Sequence, residues 1–261
     1  TSAVGGNLDA TATTGNLTDA GVVTVGGTAG FTTSAADADI DLGQLAVTGD
    51  VDVQTNGANG DATVVNTIAL DLATSAVGGN LDATATTGNV TDSGVATVGG
   101  TASFTTSAAN DDILVSMLAV TGAVDVQTNG ANGHATVVNA TVLDLATSAV
   151  GGNFTAVATT GNVTDSGIAT VGGTATFSTS AVNDDSTRKG RYETSVKDMK
   201  TAAHNRTAKE NIFPPVPAAL SSRTKSDVGK AWADYRPKLA HYLRSHIRNG
   251  VEIQEFLLLL Q

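Results

Sequence analysis

Carboxylates, with a single histidine, are the side chains that could do chemistry between Thr1 and Thr187. Asp37-Ala-Asp39-Ile-Asp41 and Asp50-Val-Asp52 place acids at alternate positions. On a strand each run would fall on one side, a disposition that suits calcium, a hard cation that gathers several oxygens. The second copy of the first run, Asn110-Asp111-Asp112-Ile113, loses the spacing, and no glycine-rich nonapeptide calcium repeat is present. These acids therefore read as solvating charge, and no metal ligand is assigned. Short hydroxyl and amide side chains form a second candidate set: Thr11 and Thr13, Thr32 and Ser34, Gln54 and Asn56, Thr84 and Thr86, Thr105 and Ser107, Gln127 and Asn129. Stacked flat, they would suit an ice lattice or a glycan, although Gln and Asn interrupt the threonine ranks. Asn-x-Thr occurs at Asn16, Asn89, Asn139, Asn153, Asn162 and Asn205, as a threonine-rich repeat makes expected, and would be a glycosylation acceptor in a eukaryotic host. His134 stands where the preceding copy has Asp61 and reads as incidental. No Ser-His-Asp, His-Glu-x-x-His or phosphate-loop pattern occurs in residues 1–187, and an enzyme acting on acidic sugars would need basic residues that this stretch lacks. No catalytic residue and no cofactor is assigned.

What positions these residues is a repeat. Thr1–Asn16 returns residue for residue at Thr74–Asn89 and, with changes, at Thr147–Asn162, so the long repeat starts afresh at Thr1, Thr74 and Thr147. Inside it lies a shorter unit that starts at Val4, Val25, Val47, Val77, Val98, Val120, Val150 and Val171, with spacings of 21, 22 and 30. Two residues after each start stands a glycine: Gly6, Gly27, Gly49, Gly79, Gly100, Gly122, Gly152 and Gly173. Twelve after each stands Asn or Asp: Asn16, Asp37, Asn59, Asn89, Asn110, Asn132, Asn162 and Asn183. Between them apolar and polar residues alternate, the pattern of a strand with one face buried.

A unit of this length cannot bury its own apolar face, but stacked copies can. The reading is an all-β fold, a right-handed parallel β-helix (β-solenoid) of seven to eight coils over residues 1–185. Each strand should pair with its equivalent in the coils above and below. The sixth position then forms a core ladder of Ala, Phe and Val repeated in that order, and the Asx position forms a corner ladder that tolerates left-handed backbone. Glycine fits a corner where a Cβ would clash. The eight or so extra residues of every third coil form either a wider side or a protruding hairpin.

Charge divides the chain. Residues 1–187 hold eighteen Asp and no Lys or Arg; residues 188–261 hold all fourteen basic residues and seven acids. Every proline also lies in the second part. The boundary falls near 185, giving a 1–185 solenoid and a 186–261 basic segment. An acidic solenoid without lysine repels nucleic acid and anionic membrane. With no cysteine, disulfide scaffolds and thiolate metal sites are excluded. The sequence shows neither a signal peptide nor a transmembrane helix, and it opens inside a repeat, so it reads as a piece of a longer protein.

The runs Ala-Val-Gly-Gly-Asn-Leu-Asp-Ala-Thr-Ala-Thr-Thr-Gly-Asn and Ala-Val-Thr-Gly-Asp-Val-Asp-Val-Gln-Thr-Asn-Gly-Ala resemble repeats of bacterial filamentous-haemagglutinin-like and autotransporter-type surface proteins. The resemblance covers residues 1–185. It implies a right-handed parallel β-helix, secretion to a bacterial surface, and a non-enzymatic role in adhesion or spacing. Its partners would be a host-cell, matrix or glycan surface.

Residues 186–261 read as mainly helical. Val228, Trp232, Tyr235 and Leu239 follow one another at spacings of four, three and four, Tyr242 and Leu243 lie three and four beyond Leu239, and Ile247 lies four beyond Leu243. Pro214-Pro215-Val-Pro217 makes a stiff connector. The segment reads as a cap or interaction module, as an effector carried on a stalk, in which His241 and His246 would serve acid–base chemistry, or as a junction artefact.

Overall fold

The structure is a computed structural model that describes residues 1–180. Over that range the chain is all-β, a parallel β-solenoid of about eight turns built from twenty-three short strands. The strands form two sheets, one of twelve and one of eleven, and every pairing is parallel. The alternation read from the sequence is the burial pattern of the strands. In Ala29–Ala36 the residues Ala29, Phe31 and Thr33 point inward, and in Ala102–Ala109 so do Ala102, Phe104 and Thr106. The core is a column of aliphatic and phenyl side chains between the sheets, with Phe104, Phe154, Leu118 and Leu143 at 0–1% exposure. Phe154 and Phe177 meet edge to face, with ring centroids 5.8 Å apart.

Equivalent positions stack within a repeat but not across repeats. Leu8, Ala29 and Val51 are register neighbours, as the spacing predicts. The next residue in that line is Leu72, not Leu81. Leu81 instead lies on Ala62, which lies on Ile40. The reason is a count. From Leu8 to the end of its repeat the chain crosses between the sheets to lay down seven stretches, and seven is odd. Each long repeat is thus three and a half coils, and its successor starts on the opposite sheet. Leu8–Ala12 belongs to the eleven-stranded sheet, its equivalent Leu81–Ala85 to the twelve-stranded sheet, and Phe154–Ala158 to the eleven-stranded sheet again.

This corrects two expectations. The extra residues of every third coil are neither a wider side nor a hairpin. They fall in the strands Ala62–Asn66 and Leu70–Leu72, which run in register with Leu81–Ala85 and Val90–Asp92 of the next coil and lengthen the unit by half a turn. The Ala-Phe-Val core ladder is not one repeating column: Ala10–Phe31–Val53 lies on one sheet, and Ala83–Phe104–Val126 on the other, preceded there by Leu42 and Val64. Left-handed backbone at the Asx position occurs at Asp37 and Asn110 alone among the described residues. In the other units with positive φ nearby, a preceding glycine carries it, as Gly15 does before Asn16. The helical segment expected at 186–261 lies outside the described residues.

The corner glycines are explained by how closely successive coils approach. The Gly49 N–H donates to the Gly27 carbonyl at 3.0 Å, and a Cβ on Gly49 would sit 2.8 Å from that same oxygen. Contact this close between backbones leaves no room for a side chain.

Candidate functional site

Where the corners stack, polar side chains form rungs between coils. Asn16 Oδ1 accepts from the Asp39 N–H at 2.9 Å, Asp39 Oδ1 from Asp61 N–H at 3.0 Å, Asp61 Oδ1 from Asn80 N–H at 2.6 Å, and Asn80 Oδ1 from Thr101 N–H at 2.9 Å. The same series recurs one long repeat later. Asn89 accepts from Asp112, Asp112 from His134 at 2.7 Å, His134 Nδ1 from Asn153 at 2.8 Å, and Asn153 from Thr174. Each rung satisfies a backbone donor that the turn leaves free of sheet pairing. The corner glycines make room for them: a Cβ on Gly79 would collide with Asp61 Oδ1, and one on Gly152 with the His134 ring. His134 is therefore a rung, not an incidental replacement.

These rungs only partly coincide with the Asx column read from the sequence. Asn16 and Asn89 begin them, whereas Asp37 and Asn110 make a separate short link, accepting from Asn59 and Asn132 N–H at 3.0 Å. Asn183 lies outside the described residues. Asp39, Asp61, Asn80 and Asn153 were not singled out as rungs; the signal for two of them was an asparagine three residues after the unit's valine, recurring at Asn7, Asn80 and Asn153.

A second set of links is buried. Asn66 is 0% exposed; its Oδ1 accepts from Val47 N–H, and its Nδ2 donates to the carbonyls of Val47 and Ala69. Asn139 does the same for Val120 and Val142. Ser75 and Ser148 accept from Val53 and Val126. A third set clamps two bulges. The register slips between Leu42 and Leu45 and between Val115 and Leu118, and the freed N–H groups of Gly43 and Gln44, or of Ser116 and Met117, bind both oxygens of Asp19 or Asp92.

Of the carboxylates considered for calcium, Asp37 and Asp39 are engaged in this network. They hold Asn59 and Asp61, and no group of three or more metal-binding side chains converges among the described residues. Outward on the twelve-stranded sheet, Thr18, Asp41, Thr63, Asp82, Ser103 and Asp125 form one line, hydroxyl and carboxylate in turn. The alternation keeps like charges two strands apart, about 9.6 Å. Partial burial pushes the Asp125 carboxyl up, against the hydrogen bonds from Gln127 and the Val126 N–H; the charge of Asp82 also raises it.

The hydroxyl columns do not form long ranks. Thr11, Thr32 and Gln54 stack, then the line continues through Ala76, Thr97 and Ala119. Of the Asn-x-Thr positions, Asn139 is fully buried and inaccessible to a glycosylating enzyme. The second repeat carries an outward apolar group: Leu114 and Met117, 41% and 37% exposed, replace Asp41 and Gln44 of the first. Leu114 stands beside Thr136, and Val138 and Val157 follow outward in the next two coils. No helix of the described residues is long and apolar enough to cross a membrane.

Stacked strands, polar rungs between coils and a repeat that continues in register define a structural repeat protein of the β-solenoid class. The chain belongs to the family described as Repeats of unknown function (DUF5649), which matches residues 1–44, 59–116 and 132–184. No curated protein matches the chain, and no solved structure matches it.

Proposed function

We propose that this chain is a non-enzymatic stalk segment of a secreted or surface-borne bacterial adhesin, whose partner is a host-cell, matrix or glycan surface. The observation that carries the reading is the repeat junction. Ala62–Asn66 seats Leu81–Ala85 in the same register in which Ala135–Asn139 seats Phe154–Ala158. A junction used twice in the same way lets repeats be added without redesigning either end, as a spacer requires. At about 4.8 Å per coil, three and a half coils add about 17 Å per repeat. Small-angle scattering on chains with two, three and four repeats should show that increment; particles that thicken instead of lengthening would remove the stalk. The resemblance to filamentous-haemagglutinin-like repeats supports the surface location and the adhesive role. For adhesion, Leu114 and Met117 are the contact residues the reading favours. L114D/M117Q, which restores the first repeat's residues, should reduce binding of the chain to matrix and glycan arrays without changing its thermal midpoint.

The competing reading, a stalk carrying an effector in 186–261, rests on sequence alone. Toxicity of that segment, abolished by His241→Ala or His246→Ala, would favour it. An ice- or glycan-binding face is less well supported, because the threonine columns are interrupted; absence of thermal hysteresis would end its ice arm.

A further inference from the structure

We propose that His134 is a pH-sensitive rung, which ties coils together when neutral and lets go when protonated. The rung at the first repeat junction is Asp61, whose carboxylate accepts the Asn80 N–H. At the second junction the same place is held by an imidazole, and its Nδ1 accepts the Asn153 N–H at 2.8 Å. An imidazole nitrogen can accept only through its lone pair, so this bond requires an Nδ1 that carries no proton. A proton on Nδ1 turns the acceptor into a donor facing another donor, and the link to Asn153 is lost.

The surroundings give the protonated ring somewhere to go. On the preceding coil stand Asp111 and Asp112, and Asp112 Oδ1 already receives the His134 backbone N–H at 2.7 Å. Asp111 Oδ2 is held by the Gly88 N–H. Asn153 and Phe154 on the following coil carry no charge, and no Lys or Arg occurs among the described residues. An imidazolium is thus drawn back toward Asp112 and away from Asn153. Protonation thus removes the bond to the coil ahead, and does so at one junction of the two. His134 is exposed, so protons reach it without unfolding.

The molecule contains its own control. Intrinsic amide exchange slows as pH falls, but the ratio of Asn153 to Asn80 exchange cancels that dependence. On the full-length chain, the ratio should rise about fivefold between pH 8 and pH 5, the factor matching a lost hydrogen bond of ordinary net strength. The Asn153 amide proton shift should titrate with the same midpoint as the His134 ring. In H134D, which copies Asp61, both effects should vanish; H134N provides the same test through an uncharged acceptor. An Asn153 amide that follows Asn80 throughout the titration of the His134 ring would overturn the proposal.

Discussion

At the scale of single residues, the solenoid depends on side chains that imitate backbone. Asn66 fills a core position yet offers an acceptor and two donors where the ladder has a gap. Replacing it with alanine leaves the Val47 N–H and carbonyl without partners in the buried core and frees the carbonyl of Ala69, which lies at an exposed residue. Each unsatisfied group costs about 1–3 kcal/mol, so N66A should lose roughly 2–4 kcal/mol in denaturant titration, allowing for partial rescue by water. A loss below half a kcal/mol would show that the gap closes by itself. Asp125 makes the opposite case. Its carboxyl is held above the ordinary range, chiefly by burial, so the folded chain binds that proton more readily than the unfolded chain. The stability this lends is present in acid and is lost as pH rises through the raised value. D125N keeps the oxygen that Gln127 binds and has no charge to desolvate. It should melt above the wild type at pH 7, with the difference closing as pH falls toward the ordinary carboxylate range. A gap that widens in acid would contradict this. These residues were poorly legible in the sequence. Alternation puts Asn66 inward with Ala62 and Val64, but its polar side chain argues against a core position, and the ladder gap it fills is a relation between coils that leaves no mark in the strand.

At the scale of the element, strand and corner were legible for different reasons. Strands declare themselves by period two, and the inward set Leu81, Ala83 and Ala85 is buried as its alternation predicts. Corners declare themselves by glycine, and Gly49 shows why. Gly49→Ala would drive a Cβ against the backbone of Gly27 and Thr28 on the preceding coil, where no flexible side chain can yield. The expected cost is about 1–3 kcal/mol, read as a lowered denaturation midpoint. A neutral substitution would mean that the coils can separate locally. The bulges held by Asp19 and Asp92 were not legible, because a register slip is a relation between two coils and leaves no mark within either strand. Its trace was an aspartate recurring at one place in each repeat.

At the scale of the whole molecule, the long period was plain, but what it encodes was not. Sequence identity suggests that equal residues stack, and within a repeat they do. Across repeats the stack is set by how many times the chain crosses between sheets, and an odd number sends the next copy to the other face. Coil length hardly changes along the chain, so the long spacing from Val47 to Val77 is one coil plus the offset to the opposite side. Neighbouring repeats therefore show the same surface in opposite directions, and any contact surface in one has its counterpart on the far side in the next. A stalk built this way presents two working faces, each recurring after seven coils, about 34 Å.

That half-turn is the central claim, and spin labels test it directly. The chain has no cysteine, so pairs can be introduced cleanly. Labels at Thr63 and Asp82, register neighbours on one sheet, should show strong dipolar broadening. Labels at Asp52 and Asp82, which occupy equivalent positions in adjoining units, should show none, since they lie on different sheets. Broadening in the 52/82 pair and none in 63/82 would mean that equal residues stack after all, and that each repeat is three whole coils.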